Sequence, residues 1–215
     1  LTCSRICDIL ESWETVALAA LIITHLYAVS SRQRSKDRLR CDGKANKGRL
    51  ILLEKKYQFF VSSTYEDLKE ERDIAIHAIL TMNQFPVGME MFSAADDDQW
   101  QIIKEAIDSS DYYILIIGNR YGSIEETTGV SYTEKEFDYA VSQGIPVLAF
   151  IVDKSVSMAQ DRYESDLAKK EKLDSFKEKV KNSGRYVKFW KNKDNLESLI
   201  SQSIAKAVTR GRRPG

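Results

Sequence analysis

Tyr112-Tyr113-Ile114-Leu115-Ile116-Ile117-Gly118 is the stretch whose reading decides the fold. It is a short apolar run of strand length, entered through Asp111, which reads as a turn residue, and left through a glycine. Runs of the same kind lie on either side of it: Tyr57–Ser62 (YQFFVS), Pro86–Met91 (PVGMEM), Pro146–Val152 (PVLAFIV) and Tyr186–Trp190 (YVKFW). Amphipathic stretches separate them. Glu66–Met82 sets Leu68, Ala75, Ile79 and Met82 along one stripe, Gln99–Asp108 does so with Ile102, Ile103, Ala106 and Ile107, and Thr133–Gln143 with Phe137, Ala140 and Val141. Residues 161–182 and 193–208 supply two more helices. Strand and helix in alternation are the pattern of βα units, so the expected fold is α/β. It is a flavodoxin-like, five-stranded parallel sheet ordered 2-1-3-4-5 with helices on both faces.

The chain has 215 residues, 43% hydrophobic and 30% charged, which predicts one domain with an appendage rather than two full domains. Lysine plus arginine equals aspartate plus glutamate at 32 each, yet the balance is uneven. Ser30–Arg49 holds eight basic residues against Asp37 and Asp42, whereas Leu50–Ala205 is net acidic. An acidic domain argues against a specific nucleic-acid ligand, because phosphate binding rests on a basic surface. Cys3, Cys7 and Cys41 are the only cysteines, so the α/β part uses no disulfide framework and a reducing, cytoplasmic setting is expected. Cys3 and Cys7 lack a second close pair, and His25 and His77 complete no zinc spacing, so no metal is expected.

The organisation expected is an N-terminal apolar helix and basic linker over 1–50, an α/β domain over 51–208 and a tail over 209–215. Val16–Val29 (VALAALIITHLYAV) is apolar for 14 residues, short of the ~20 that a membrane span needs. Asp8, Glu11 and Glu14 precede it, against a secretory signal. A buried or partner-binding helix is the leading reading of this segment. A short anchor that keeps its basic flank and the α/β domain on the cytoplasmic side is the second, and upstream sequence read through from an early start is the third.

In an open parallel sheet, ligands bind beyond the carboxyl ends of the strands near the point where strand order reverses. That rule selects three loops. Ser62-Ser63-Thr64 follows the first strand and precedes a helix, so its hydroxyls and the helix amides suit a phosphate or ribose, or else serve as N-caps. Arg120 and Tyr121 stand between Gly118 and Gly122, where glycines allow a tight path and a guanidinium can grip phosphate. The polar run Glu125–Gly129 that follows is long enough for a lid. Finally, Ser131-Tyr132-Thr133-Glu134-Lys135-Glu136 opens a helix, and both Ser131 with Glu134 and Thr133 with Glu136 match the capping-box spacing. A carboxylate there is also what glycosidic chemistry requires, since it can stabilise or attack an anomeric carbon. Glu90 and Asp96-Asp97-Asp98 are weaker candidates for ribose or a cation. No glycine-rich phosphate loop of dinucleotide or P-loop type is present.

Four segments in order, Phe59–Asp73 (FFVSSTYEDLKEERD), Pro86–Phe92 (PVGMEMF), Ser109–Ile124 (SSDYYILIIGNRYGSI) and Ser131–Ile151 (SYTEKEFDYAVSQGIPVLAFI), resemble a TIR-like domain of unknown function. That family is related in fold to Toll/interleukin-receptor domains and to nucleoside deoxyribosyltransferases. The resemblance implies an effector or sensor that self-associates, binds NAD or a nucleoside as substrate rather than as a required cofactor, and cleaves its N-glycosidic bond in bacterial defence or stress signalling. Glu136–Gly144 (EFDYAVSQG) lies without a gap over the transferase pattern M-E-L-G-Y-A-L-S-Q-G, whose glutamate is the nucleophile. The resemblance therefore selects Glu136 as the catalytic residue, with Glu134 one turn away as a rival. It implies that Ser62, Ser63, Thr64 and Arg120 hold phosphate or ribose and that Tyr121 or Tyr132 stacks on a base. Asp138 stands where the transferases have glycine, which shifts the expectation from transfer toward hydrolysis or binding alone.

Overall fold

Apolar runs such as Tyr112–Ile117 can be buried on both faces only if helices cover the sheet on both sides. In the computed structural model, which describes residues 55–88 and 99–211, they are. The elements are β1 (Gln58–Ser63), α1 (Lys69–Thr81), β2 (Phe85–Val87), α2 (Gln99–Asp108), β3 (Tyr112–Ile117), α3 (Tyr132–Ser142), β4 (Val147–Val152), α4 (Leu167–Asn182), β5 (Tyr186–Trp190) and α5 (Lys193–Arg210). The five strands form one parallel sheet ordered β2-β1-β3-β4-β5, the expected flavodoxin-like order.

Side-chain alternation along each strand divides the core in two. Phe59, Val61, Ile114, Ile116, Phe150 and Trp190 face α1 and α5, meeting Leu68, Ile79, Leu196 and Ile200. Phe60, Tyr113, Leu115, Ile117 and Ile151 face α2, α3 and α4, meeting Ile103, Phe137 and Phe176. The β1–β3 register pairs Phe59 with Tyr112 and Phe60 with Tyr113. Their rings stack on opposite faces at 4.9 and 5.6 Å between centroids. Each fully buried large apolar side chain contributes about 1.5–3 kcal/mol, so these two layers supply the main stabilisation.

The differences from expectation have local causes. β4 begins at Val147 because Pro146 has no N–H to give the ladder. α1 begins at Lys69 rather than Glu66, after a bend over residues 65–68, and its N-cap position is Leu68. Residues 160–162 form a single 3-10 turn, and α4 starts only at Leu167, capped by Asp166, whose carboxylate accepts from the Ala168 and Lys169 amides. The readings made for residues 1–50, for Glu90 and for Asp96–Asp98 fall outside the described residues. No helix among the described residues is long and apolar enough to cross a membrane.

Candidate functional site

Ser62 and Ser63 are adjacent at the end of β1, so their side chains leave on opposite faces of the sheet. Ser62 points to the α3 side and donates to Glu136 Oε2 at 2.5 Å. Ser63 points to the α1 side, where its hydroxyl donates to the Thr64 carbonyl and accepts from Arg72 Nη1 at 3.2 Å. Arg72 is itself buried. Its charge acts on Glu136 across the strand end, so one buried cation serves both faces. The Tyr113 ring, packed on the α3 side, completes the enclosure. Its hydroxyl is driven up in pKa first by burial and then by the Glu136 charge.

Glu136 is 3% exposed. Removal from water disfavours its charged form and pushes its pKa from 4.5 up to about 7, although the Ser62 hydrogen bond and the Arg72 charge pull the other way. A carboxyl group with that pKa exchanges a proton readily at neutrality, which is the property a general acid or base needs.

The helix cap explains why Glu136 is available. Ser131, not Thr133, is the N-cap of α3, and its hydroxyl accepts from the Glu134 amide at 3.2 Å. Glu134 answers through a relay: Tyr121 donates its phenol to Glu134 Oε2 at 2.7 Å and accepts from the Ser131 amide at 3.2 Å. The capping box therefore uses Ser131, Glu134 and Tyr121. Glu136, half a turn on, is turned toward the sheet. Glu134 also takes Lys179 at 2.9 Å, and Lys179 reaches Asp138 at 2.6 Å, so the residue that replaces the transferase glycine sits in a surface ion pair.

Several sequence expectations are corrected here. Ser62, Ser63 and Thr64 neither cap α1 nor join its free amides, because four residues, 65–68, separate Thr64 from the helix start at Lys69. Tyr121 is buried in the capping relay and presents no face for a base. The Glu125–Gly129 loop is a closed turn rather than a free lid. Gly129 N–H bonds Glu125, Lys172 grips the Gly129 carbonyl at 2.7 Å, and Lys135 pairs with Glu125. Arg120 reaches Glu66 at 3.4 Å on the surface. Tyr132 is half-buried at the first position of α3.

The sequence reading missed a second group of charges beside Gly118. Asp67 is buried against the β3 end, and burial raises its pKa despite nearby Arg120 and Arg162. Lys177 comes in from α4 and donates to Asn119 Oδ1 at 3.3 Å. Burial pulls its pKa down to about 8. The segment around the 3-10 turn straps this edge down: Arg162 binds buried Glu71 at 2.6 Å, Glu164 accepts from the Tyr121 amide at 3.1 Å, and Glu164 N–H bonds the Asn119 carbonyl. Space is tight here. A Cβ on Gly118 would lie 3.0 Å from Asp67 Oδ2, and one on Gly122 2.8 Å from Thr64 Cγ2. The cavity between Thr64, Gly118, Arg120 and Thr133 holds about 10 Å³.

A family described as "Domain of unknown function (DUF4062)" matches residues 58–205, which spans the sheet and every residue of this site. The chain belongs to that family. Among curated proteins none matches it. Among solved structures, this DUF4062 domain is similar to the TIR domains of the activated Roq1 resistosome that directly recognizes the pathogen effector XopQ. That likeness has 14% identity and a TM-score of 0.47, over 71% of this chain and 99% of that one. It is also similar to the CMP N-glycosidase BcmB of Clostridium botulinum, with 16% identity and a TM-score of 0.38 over 69% and 98% of the two chains. A third is the diflavin flavoprotein A3 of Nostoc sp., with 14% identity and a TM-score of 0.41 over 74% and 96%. All three likenesses are distant.

Proposed function

We propose that this domain binds a nucleotide and hydrolyses its N-glycosidic bond, with Glu136 as the carboxylate that faces the ribosyl carbon. The single observation that carries the reading is the Ser62–Glu136 pair, a buried carboxyl of near-neutral pKa at the carboxyl end of β1. In the reaction the bond from C1′ to the base nitrogen breaks and its electron pair leaves with the base. Ionised Glu136 stabilises the positive charge left on C1′ and takes a proton from the attacking water, whose oxygen forms the new bond to C1′. That proton then passes to a base that leaves as an anion, as from a deoxynucleoside, or to solvent where the base leaves neutral, as nicotinamide does from NAD. Ser62 holds Glu136 in position. Ser63, Thr64 and Arg120 are the groups proposed for phosphate or ribose, and Tyr132 the one for the base. NAD and nucleosides are the substrate classes implied by the resemblance to TIR-like domains and their relatives, deoxynucleosides more narrowly by the stretch Glu136–Gly144, and self-association is proposed as the route to an active form.

The test is to incubate wild type, Glu134→Gln and Glu136→Gln with NAD and with deoxynucleosides, with and without a crowding agent, and to measure free base. Release by wild type and Glu134→Gln but not by Glu136→Gln is the expected result. Undiminished release by Glu136→Gln removes that residue from the mechanism.

One observation favours a second reading, that of a binding module without turnover. Ser62 is 1% exposed and Glu136 3%, and the strap through Arg162 and Glu164 closes the neighbouring edge. Saturable nucleotide binding with no base released under any of these conditions selects it.

A further inference from the structure

At the opposite, amino end of the sheet the same alternation produces a different surface. Tyr186, Lys188 and Trp190 all face α5. Trp190 is buried in the core, but at the amino end the strand offers Tyr186 and Lys188 where a packed core would need apolar residues. The facing residues of α5 are small, Ser203 and Ala207. Strand and helix therefore leave a cleft of about 310 Å³ between them. Its floor is apolar: Tyr112, Pro146, Val147 and Leu148 line it. The Tyr112 hydroxyl fixes the far wall by donating to the Ala207 carbonyl at 3.0 Å.

The rim carries Arg185, Lys188, Lys206 and Arg210, and among the described residues no carboxylate lines the cleft. Two of these cations share one ring. Lys206 Nζ stands 5.0 Å and Arg210 Cζ 5.7 Å from the centroid of Tyr186, itself 57% exposed. The Arg210 hydrogen bond, followed by the Lys206 charge, holds the Tyr186 phenol below its usual pKa. Such convergence is unusual on a domain that is net acidic over Leu50–Ala205. Like charges gathered over one aromatic ring repel each other, and an anion placed between them relieves that repulsion.

We infer that this cleft is a binding site for a small phosphorylated aromatic compound of nucleoside monophosphate size, its flat ring on the apolar floor and its phosphate between Lys206, Arg210 and Lys188. The volume is at the lower end of small-molecule sites, which run from about 300 to 1,000 Å³ and combine apolar walls with a few polar groups, so one mononucleotide fits and a dinucleotide does not. The site lies at the amino ends of β3, β4 and β5, away from Glu136 at the carboxyl end, and does not depend on the proposed reaction.

The experiment is an NMR titration of the full chain with AMP, adenosine and inorganic phosphate, read at the amides of Gly184, Tyr186, Lys188 and Ala207 and, as the distant control, of Gly118 and Gly122. AMP is expected to shift the first set saturably. Adenosine and phosphate should each bind at least tenfold more weakly, and the Lys206→Ala/Arg210→Ala double variant should bind AMP at least tenfold more weakly while keeping a dispersed native spectrum. The proposal is overturned if AMP leaves the first set unmoved, if the double variant binds AMP as wild type does, or if phosphate alone binds as tightly as AMP. Shifts confined to Gly118 and Gly122 also overturn it, because they place AMP at the Glu136 end.

Discussion

At the carboxyl end of the sheet, Glu136, Arg72, Asp67 and Glu71 are each at least nine-tenths buried, whereas at the amino end Lys206 and Arg210 stand in solvent around an open cleft. The first arrangement is expensive. Buried ionisable groups persist only when paired or neutralised, and here Glu136 is held by Ser62 and Arg72, and Glu71 by Arg162. The second costs little, because water solvates the cations. The contrast implies that a change at the carboxyl end alters stability and chemistry together, while a change at the amino end alters ligand affinity alone.

The largest effect expected is from Glu136→Gln, which should cut base release by about 100-fold or more, the lower range of what a positioned acid–base group contributes. The same change should stabilise the protein above neutral pH. Because burial raises the folded pKa from 4.5 to about 7, the folded state binds more protons than the unfolded state between those values. The wild type's stability from this group is complete below the lower value and lost as pH rises through the upper one, on the order of 3 kcal/mol at about 1.4 kcal/mol per unit. Urea melts at pH 5 and pH 8 should show that decline in wild type and not in Glu136→Gln. If both decline alike, Glu136 is not the titrating group.

Glu71→Ala should come next, at about 3 kcal/mol of destabilisation, because it leaves Arg162 without its buried partner and loosens the strap. Gly122→Ala should cost about 1–3 kcal/mol, since its φ of 87° is strained for a side-chain-bearing residue and its Cβ would meet Thr64. Both are read by chemical denaturation. The smallest change is expected at the amino end, where Lys206→Ala/Arg210→Ala should move stability by less than about 0.5 kcal/mol. A loss above 2 kcal/mol there would break the contrast between the two ends.

The sheet was legible because its evidence is local. Tyr112–Ile117 and Val147–Val152 are apolar runs, and the stripes of α2 and α3 repeat at helical spacing. Glu136 was legible through the motif around it, although its spacing from Thr133 left a capping role open until Ser131 was seen to cap. Arg72, Asp67, Glu71 and Lys177 were not legible. On an amphipathic helix, charged residues read as solvated, and only distant partners such as Ser63, Asn119 and Arg162 bury them. Tyr121 misled for the same reason, since a phenol between glycines looks like a ligand contact until the Ser131–Glu134 turn folds onto it.

The most direct test of the central claim, that Glu136 and Ser62 form a working pair, is the pH profile of base release by wild type and Ser62→Ala. Ionised Glu136 is the active form, so the wild-type rate should rise with pH and reach half its maximum near pH 7. Because the Ser62 hydrogen bond lowers the Glu136 pKa, its removal should move that midpoint to higher pH. Identical midpoints in the two proteins would contradict the account.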